Sequence, residues 1–179
     1  MTKEMSLAQA ISRFVRPGMA LHFGNGGALP IAALMEVTRQ FWGRAPGFTY
    51  ISAMGASITL APLLLGRLVK RVISTFNGDG LPFPAPNPII QQAYRDGWAA
   101  FEDWTMLTYT LRLMAGAMGL PFLPTRSLLG SDLAQENRQS FLPLDDPFGS
   151  GQRLGLVQAL RPDLSITHAW AADAAGNLL

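Results

Sequence analysis

The stretch that decides the fold is Met19-Ala-Leu-His-Phe-Gly-Asn-Gly-Gly-Ala-Leu-Pro-Ile-Ala-Ala-Leu-Met-Glu-Val37. Its apolar beginning, residues 19–23, predicts a short buried strand. The glycines that follow break the strand, and Pro30 is suited to the first turn of a helix whose apolar residues recur at helical spacing. The order strand, glycine loop, helix is the repeating unit of an α/β protein.

The same unit recurs along the chain. Further strands are predicted over residues 48–53, 69–76, 98–102 and 164–169, and helices over 7–15, 58–68, 89–95 and 106–118. This alternation predicts an α/β fold with a mostly parallel sheet and helical crossovers. Phe122 and Leu123 are expected to re-enter that sheet, whereas residues 77–88 and 135–152 are rich in proline, glycine and polar side chains and predict loops.

Composition narrows the class of protein. With 179 residues, of which 49% are hydrophobic and 15% charged, residues 1–179 are expected to form one domain. The formal charge of +2 gives little support to nucleic-acid binding, and cysteine is absent, which excludes thiolate sites. The most apolar stretch, residues 58–65, is too short to span a membrane, and the N-terminus does not resemble a secretory signal. We therefore expect a cytoplasmic protein without a membrane partner.

Three stretches carry a family resemblance. They are Gly119-Leu-Pro-Phe-Leu-Pro-Thr-Arg-Ser-Leu-Leu-Gly-Ser-Asp-Leu133, Ala159-Leu-Arg-Pro-Asp-Leu-Ser-Ile-Thr-His-Ala169 and Ala172-Asp-Ala-Ala-Gly-Asn177. Together they resemble the A (alpha) chain of a family I coenzyme A transferase, in particular the glutaconate branch. Members usually continue beyond the position of Asn177, so we expect this chain to lack the C-terminal part of the family's domain.

The resemblance implies an activity and a partner. Such an alpha chain works in a hetero-oligomer with a B subunit, and the complex moves CoA from an acyl-CoA thioester to a carboxylic acid. A glutamate of the B subunit, in a Ser-Glu-Asn-Gly type of motif, attacks the thioester and becomes a glutamyl-CoA thioester. That motif does not occur here. CoA enters as substrate, and no metal or organic cofactor is implied.

The glutamates of this chain number only four: Glu4, Glu36, Glu102 and Glu136. Glu102 stands at a predicted junction between a strand and a helix, where a parallel sheet exposes its ligand-binding edge. We interpret it, with Asp103, as an acidic pair favoured by the dipole at the start of a helix. A catalytic role for Glu102 belongs to the alternative in which the chain is a hydrolase on the same scaffold.

Candidate substrate-binding residues come from three places. Glycines between a strand and a helix let a backbone approach a ligand closely, and free amides there attract an anion. The resemblance strengthens this interpretation, because alpha chains of the family have a glycine loop ending in proline at this position. Ser52 lies at the end of the second predicted strand, and the guanidinium of Arg126 has the donors to bind a carboxylate or a CoA phosphate. The candidates are Gly24, Asn25, Gly26, Gly27, Ser52 and Arg126.

The two histidines, His22 and His168, are isolated from convergent carboxylates, so no metal site is predicted. His168 is interpreted as a structural residue in a strand near the core. Two alternatives to the transferase stay open: a CoA thioester or C–C hydrolase on the same scaffold, and a non-catalytic remnant that binds acyl-CoA.

Overall fold

A computed structural model describes residues 3–24, 28–80 and 84–178 of the chain. The helices are α1 Leu7–Phe14, α2 Ile31–Phe41, α3 Leu60–Leu65, α4 Pro88–Arg95, α5 Met106–Ala117 and α6 Asp132–Glu136. The strands are β1 Ala20–Phe23, β2 Phe48–Ile51, β3 Val69–Ser74, β4 Ala100–Asp103, β5 Phe122–Thr125, β6 Phe141–Asp145, β7 Arg153–Gln158 and β8 Leu164–Ile166.

Five strands form one parallel sheet in the order β4-β3-β2-β1-β8. Successive strands of the first four are connected through helices, as parallel neighbours require. The predicted α/β fold with a mostly parallel sheet is therefore confirmed. Because all five strands run in one direction, their carboxyl ends meet at one edge of the sheet, which we call the carboxyl edge. Ligands of open parallel sheets bind at that edge.

Each face of the parallel sheet has its own core. On one face Leu21, Phe23 and Tyr50 pack in a cluster with buried residues of α1, α2, α3 and α4. On the other face Ile51 and Ile73 pack with buried residues of α5 and of strands β6 and β7. The strands alternate between the two cores because successive side chains of a strand point to opposite faces.

Local signals account for several helix starts. Helix α1 begins with a capping box: Ser6 Oγ accepts from the Gln9 amide, and the Gln9 side chain accepts from the Ser6 amide. Helix α4 has Asn87 as its N-cap and Pro88 in its first turn, and α5 is capped by Thr105.

Two predictions for the C-terminal third are wrong. Phe122 and Leu123 do not re-enter the parallel sheet; they belong to β5 of a separate antiparallel sheet with the order β5-β7-β6. Residues 135–152, predicted as a loop, contain the end of α6 and the whole of β6. Proline usually argues against a strand, but β5 and β6 lie at the two edges of their sheet, where Pro124 and Pro143 are tolerated.

Candidate active site

The glycine loop begins at the carboxyl end of β1, between β2 and the edge strand β8. The Gly24 amide donates to Ile166 O over 2.9 Å, so this amide anchors the loop to β8 and is not available to a ligand. A side chain at Gly24 would place its Cβ only 2.7 Å from Cγ2 of Thr167, which explains the glycine. The other predicted loop residues, Asn25, Gly26 and Gly27, lie outside the described residues.

Ser52 stands where β2 ends, directly beside the start of the glycine loop. It is fully buried, and its hydroxyl donates to the carbonyl oxygen of Phe23 over 3.0 Å. Its amide donates to Ile73 O over 3.1 Å. Ser52 therefore joins the ends of three neighbouring strands, and its polar groups face protein atoms.

The connection after β2 is held equally tightly against the connection after β3. The Gly55 amide donates to Phe76 O, and the Gly78 amide donates to Gly55 O, each over 2.8 Å. A Cβ at Gly55 would lie 2.6 Å from Oδ1 of Asn77. These contacts require a glycine and fix the position of Asn77 at the edge.

Glu102 lies on β4, and donors surround its carboxylate. Oε1 accepts from Arg112 Nη1 at 2.5 Å and from Trp104 Nε1 at 2.7 Å. Oε2 accepts from Arg71 Nε at 3.1 Å and forms a further short contact with Arg71 Nη2. Burial alone would raise the pKa of Glu102, but the bonds from Arg71 and the charge of Arg112 outweigh burial and hold the pKa below its usual value.

Arg112 completes this ion-pair network from the middle of α5. Its guanidinium lies over the ring of Trp104, 4.2 Å from the centroid, and its Nε donates to Gln158 O over 3.0 Å. The network thus links β4, α5 and β7. The interpretation of Glu102 as a helix-start acid is wrong: α5 begins at Met106, has no acidic residue in its first turn, and Glu102 is bound by arginines instead.

Asp103, the last residue of β4, is in a different environment from its neighbour. Asn77 Nδ2 donates to Asp103 Oδ1 over 2.8 Å, and Asn137 Nδ2 donates to the Asp103 main-chain oxygen over 2.8 Å. Burial, and then the negative charge of Glu136, raise the pKa of Asp103 above its usual value. No salt bridge within residues 3–24, 28–80 and 84–178 reaches this carboxylate.

Two cavities meet at Asp103. The first, of about 350 Å³, is bounded by Ile90, Gln91, Tyr94 and Arg95 of α4 and by β4. The second, of about 340 Å³, lies between β4 and the segment that follows α6. Tyr94, Phe101 and Asp103 line both of them. The two aromatic rings contact each other edge to face, with centroids 5.4 Å apart. Asp103 is thus the acidic group common to both spaces.

Neither Arg126 nor the two histidines line the cavities beside Asp103. Arg126 is exposed, beyond the end of β5, and pairs with no acidic residue of the described chain. His22 is half-buried in β1, with Nδ1 3.2 Å from the Ser165 hydroxyl, and burial lowers its pKa. His168 is exposed beyond the end of β8, so its predicted place in a strand near the core is wrong.

Sequence reasoning missed the partners of Glu102 and the role of Asp103 as a cavity wall. One signal was available for Arg112, because it is the only charged residue within the otherwise uncharged α5. A lone arginine among apolar helical residues requires a carboxylate partner when its helix is buried. The partner itself could not be read from spacing along the chain.

Within the three described ranges, no cluster of three or more histidine, cysteine or acidic side chains could hold a metal ion. Among the helices of the described chain, none is both long and apolar enough to cross a membrane.

Known proteins resemble this chain over nearly its whole length. The family described as coenzyme A transferase matches residues 4–179. The A chain of 3-oxoadipate CoA-transferase from Pseudomonas knackmussii is 31% identical over 184 residues, which cover 100% of this chain and 62% of that protein. The A chain of glutaconate CoA-transferase from Acidaminococcus fermentans is 26% identical, covering 99% of this chain and 59% of that protein.

A relative of another named activity is comparably similar. The IpdA subunit of a cholesterol ring-cleaving hydrolase from Rhodococcus jostii is 28% identical, covering 98% of this chain and 59% of that protein. Among solved structures, glutaconate coenzyme A-transferase from Acidaminococcus fermentans superposes with a TM-score of 0.83 at 24% identity, covering 97% of this chain and 58% of that one. The chain therefore spans about three-fifths of the length of these relatives.

Proposed function

Since this chain belongs to the coenzyme A transferase family, we propose that it is the alpha chain of an enzyme that moves CoA from an acyl-CoA thioester to a carboxylic acid together with a B subunit. The relatives named as A chains of such enzymes support this assignment. In this proposal the B subunit supplies the nucleophilic glutamate, the complex is a hetero-oligomer in the cytoplasm, and CoA is a substrate with no further cofactor.

The observation that carries the proposal is the state of Glu102. A glutamate that attacks a thioester must present a free carboxylate oxygen to the carbonyl carbon. Both oxygens of Glu102 are occupied, by two arginines and an indole. Glu36 is bound by Arg39 and Gln40 on α2, and Glu136, on α6, lines the second cavity beside β4. The occupied oxygens of Glu102, the glutamate on the parallel sheet, support a nucleophile supplied by the partner.

The steps follow from the family's chemistry. A glutamate carboxylate of the partner attacks the thioester carbonyl, and the CoA thiolate leaves, which forms an acyl-glutamyl anhydride. The thiolate then attacks the glutamyl carbonyl and releases the first acid as a carboxylate. The acceptor carboxylate attacks the resulting glutamyl-CoA thioester, and CoA returns to the new acyl group through a second anhydride. No net proton is consumed, because carboxylate and thioester exchange places.

This chain would contribute the surface on which the acyl group is held. The glycine loop is the proposed place for main-chain amides that stabilise each oxyanion, since it joins a strand to a helix at the carboxyl edge. Gly24 anchors the loop through Ile166 and Ser52 fixes its start, so the donors would come from Asn25, Gly26 and Gly27. Arg126, exposed beside the second sheet, is proposed to meet a carboxylate or a CoA phosphate.

The resemblance to the ring-cleaving hydrolase favours one alternative, a CoA thioester or C–C hydrolase. In that alternative Glu102 would take part in the chemistry. Its occupied oxygens and lowered pKa argue against a proton-accepting role, because a strongly paired carboxylate is a poor base near neutral pH. The transferase remains the function that the site supports best.

Reconstitution tests the proposal. The chain is purified alone and together with a CoA-transferase B subunit, and transfer of CoA from acetyl-CoA to a panel of short carboxylic acids is followed by chromatography. We expect no transfer by the chain alone and transfer by the complex. Release of free CoA without any acyl-CoA product from the acceptor would favour the hydrolase, and binding of acyl-CoA with neither reaction would favour the non-catalytic remnant.

A further inference from the structure

The cavity of about 350 Å³ between α4 and the edge strand β4 has the size of a small-molecule site. Phe101 and Asp103 line it from β4, and they face α4 together because they are two residues apart in a strand. Glu102, between them, is held on the opposite face of the sheet by Arg112. Sites for small molecules are mostly apolar, with a few polar groups that fix the orientation of the ligand.

The two charged residues of this cavity belong to opposite ends of it. Arg95 is the last residue of α4, and the short connection after it leads to the start of β4 at Ala100. Asp103 is the last residue of β4 and lies at the carboxyl edge. Since a strand rises about 3.3 Å per residue, the two ends of β4 are roughly 10 Å apart. Within the described chain, Arg95 and Asp103 accordingly form no salt bridge with each other.

Neither charge is balanced by another charged group of residues 3–24, 28–80 and 84–178, where no salt bridge includes Arg95 or Asp103. The Asp103 carboxylate accepts from two neutral side chains, Asn77 and Ser74, and a carboxylate has capacity for further donors. Burial and the nearby charge of Glu136 disfavour its ionised form and raise its pKa. A cationic group of a ligand beside Asp103 would oppose both effects.

Between its charged ends the cavity is apolar. Ile90 is buried on α4, and the rings of Tyr94 and Phe101 contact each other edge to face, with centroids 5.4 Å apart. Tyr94 is itself exposed, so the cavity is open to solvent beside this ring. Methylene groups of a ligand would leave water when they pack against this wall, which stabilises the complex.

We propose that the cavity between α4 and β4 binds ω-amino acids, molecules with an ammonium group and a carboxylate at the two ends of an unbranched methylene chain. The ammonium group donates to Asp103, the carboxylate accepts from the guanidinium of Arg95, and the methylene chain lies against Tyr94 and Phe101. A molecule with only one of the two charges satisfies only one end of the cavity. Two strands, β2 and β3, separate this site from the glycine loop after β1, and the inference does not depend on the transferase proposal.

Calorimetric titration of the full chain with 6-aminohexanoate, hexanoate and hexylamine tests the inference. The three molecules have the same number of carbon atoms and differ only in their charged ends. We expect 6-aminohexanoate to bind about tenfold more tightly than either of the other two, as one hydrogen bond between charged groups predicts. If it binds no more tightly than hexanoate or hexylamine, or does not bind, the inference is overturned, whether or not CoA transfer is observed.

Two variants locate the ligand. Asp103→Asn keeps an oxygen for the Asn77 donor, and it should weaken binding of 6-aminohexanoate about tenfold while leaving that of hexanoate unchanged. Arg95→Gln should weaken 6-aminohexanoate similarly and leave hexylamine unchanged. Asp96→Asn is the matched control, because it removes a charge beside Arg95 at a position that does not line the cavity. Melting curves confirm that each variant is folded. An affinity for 6-aminohexanoate that either Asp103→Asn or Arg95→Gln leaves unchanged would overturn the assignment of the site.

Discussion

Arg112 donates from Nη1 to Oε1 of Glu102 over 2.5 Å, and the arginine side chain is only 3% exposed. This pair connects the edge strand of the parallel sheet to the helix that covers its second face. A buried cation whose carboxylate is removed cannot be solvated, so the two residues are expected to act as a unit in stability.

Glu102→Ala should therefore destabilise the fold by about 3–5 kcal/mol, because Arg112 would stay buried without its partner. Urea unfolding followed by circular dichroism measures the change. Glu36→Ala is the control and should change stability little, because the Arg39 side chain that it leaves without a partner is exposed to water. The double variant Glu102→Leu with Arg112→Met should lose less than the sum of the single losses; additive losses would show that the two side chains are not coupled.

The lowered pKa of Glu102 makes its contribution to stability dependent on pH. A carboxyl group whose folded pKa lies below the unfolded value stabilises the fold above the unfolded pKa, here the ordinary 4.5, and loses that stabilisation as the pH falls through the folded value. The difference in unfolding free energy between the wild type and Glu102→Gln should be largest near neutral pH and should shrink in acid below the ordinary pKa. A difference that stays constant with pH would contradict a native ion pair.

Gly24→Ala tests the anchoring of the glycine loop. The added methyl group would lie 2.7 Å from Cγ2 of Thr167, so the end of β1 must move relative to β8 or Thr167 must rotate. We expect a loss on the order of 1 kcal/mol, at the low end for overpacking because one methyl group is involved. Thr167→Ser, which removes that Cγ2, should recover most of the loss. Gly80→Ala is the control, since a Cβ there meets nothing within 4 Å.

Gly26→Val and Gly27→Val address the proposed donors of the loop. A branched side chain would keep the main-chain amides away from the acyl oxygen, and removal of one such donor typically costs about 10²–10³-fold in kcat. We expect a loss of this order in the complex with little change in the melting temperature. Parallel loss of stability and activity would instead identify the two glycines as parts of a structural turn.

Local sequence signals predicted the parallel sheet well because each strand and helix is defined by its own neighbours. The apolar run of β1 and the proline after the glycine loop both act over a few residues. The second sheet was missed because proline in Phe141–Asp145 was interpreted as a strand breaker. Only its position at an edge, which depends on pairing with β7, makes that proline compatible with a strand.

The site could be predicted only in part, because it also depends on contacts between residues that are distant in the sequence. Glu102 was found from its place at the end of a strand, but its arginine partners lie 31 and 10 residues away along the chain. Both acids line the second cavity, but only Glu102 is paired with arginines, and this difference is decided by the alternation of β4 and by the side chains packed on each of its faces. That information is three-dimensional, so sequence spacing interpreted Glu102 and Asp103 as equivalent.

In the proposed mechanism the glutamate that carries CoA belongs to the partner, and no glutamate of this chain is acylated. Borohydride reduction of the reconstituted complex in the presence of acyl-CoA, followed by peptide mass spectrometry, converts a glutamyl-CoA thioester into a stable alcohol and locates it. We predict no modification on Glu102 and a single modified glutamate in the B subunit. A reduced Glu102, or a trapped glutamate in the purified chain without its partner, would place the nucleophile on this chain instead.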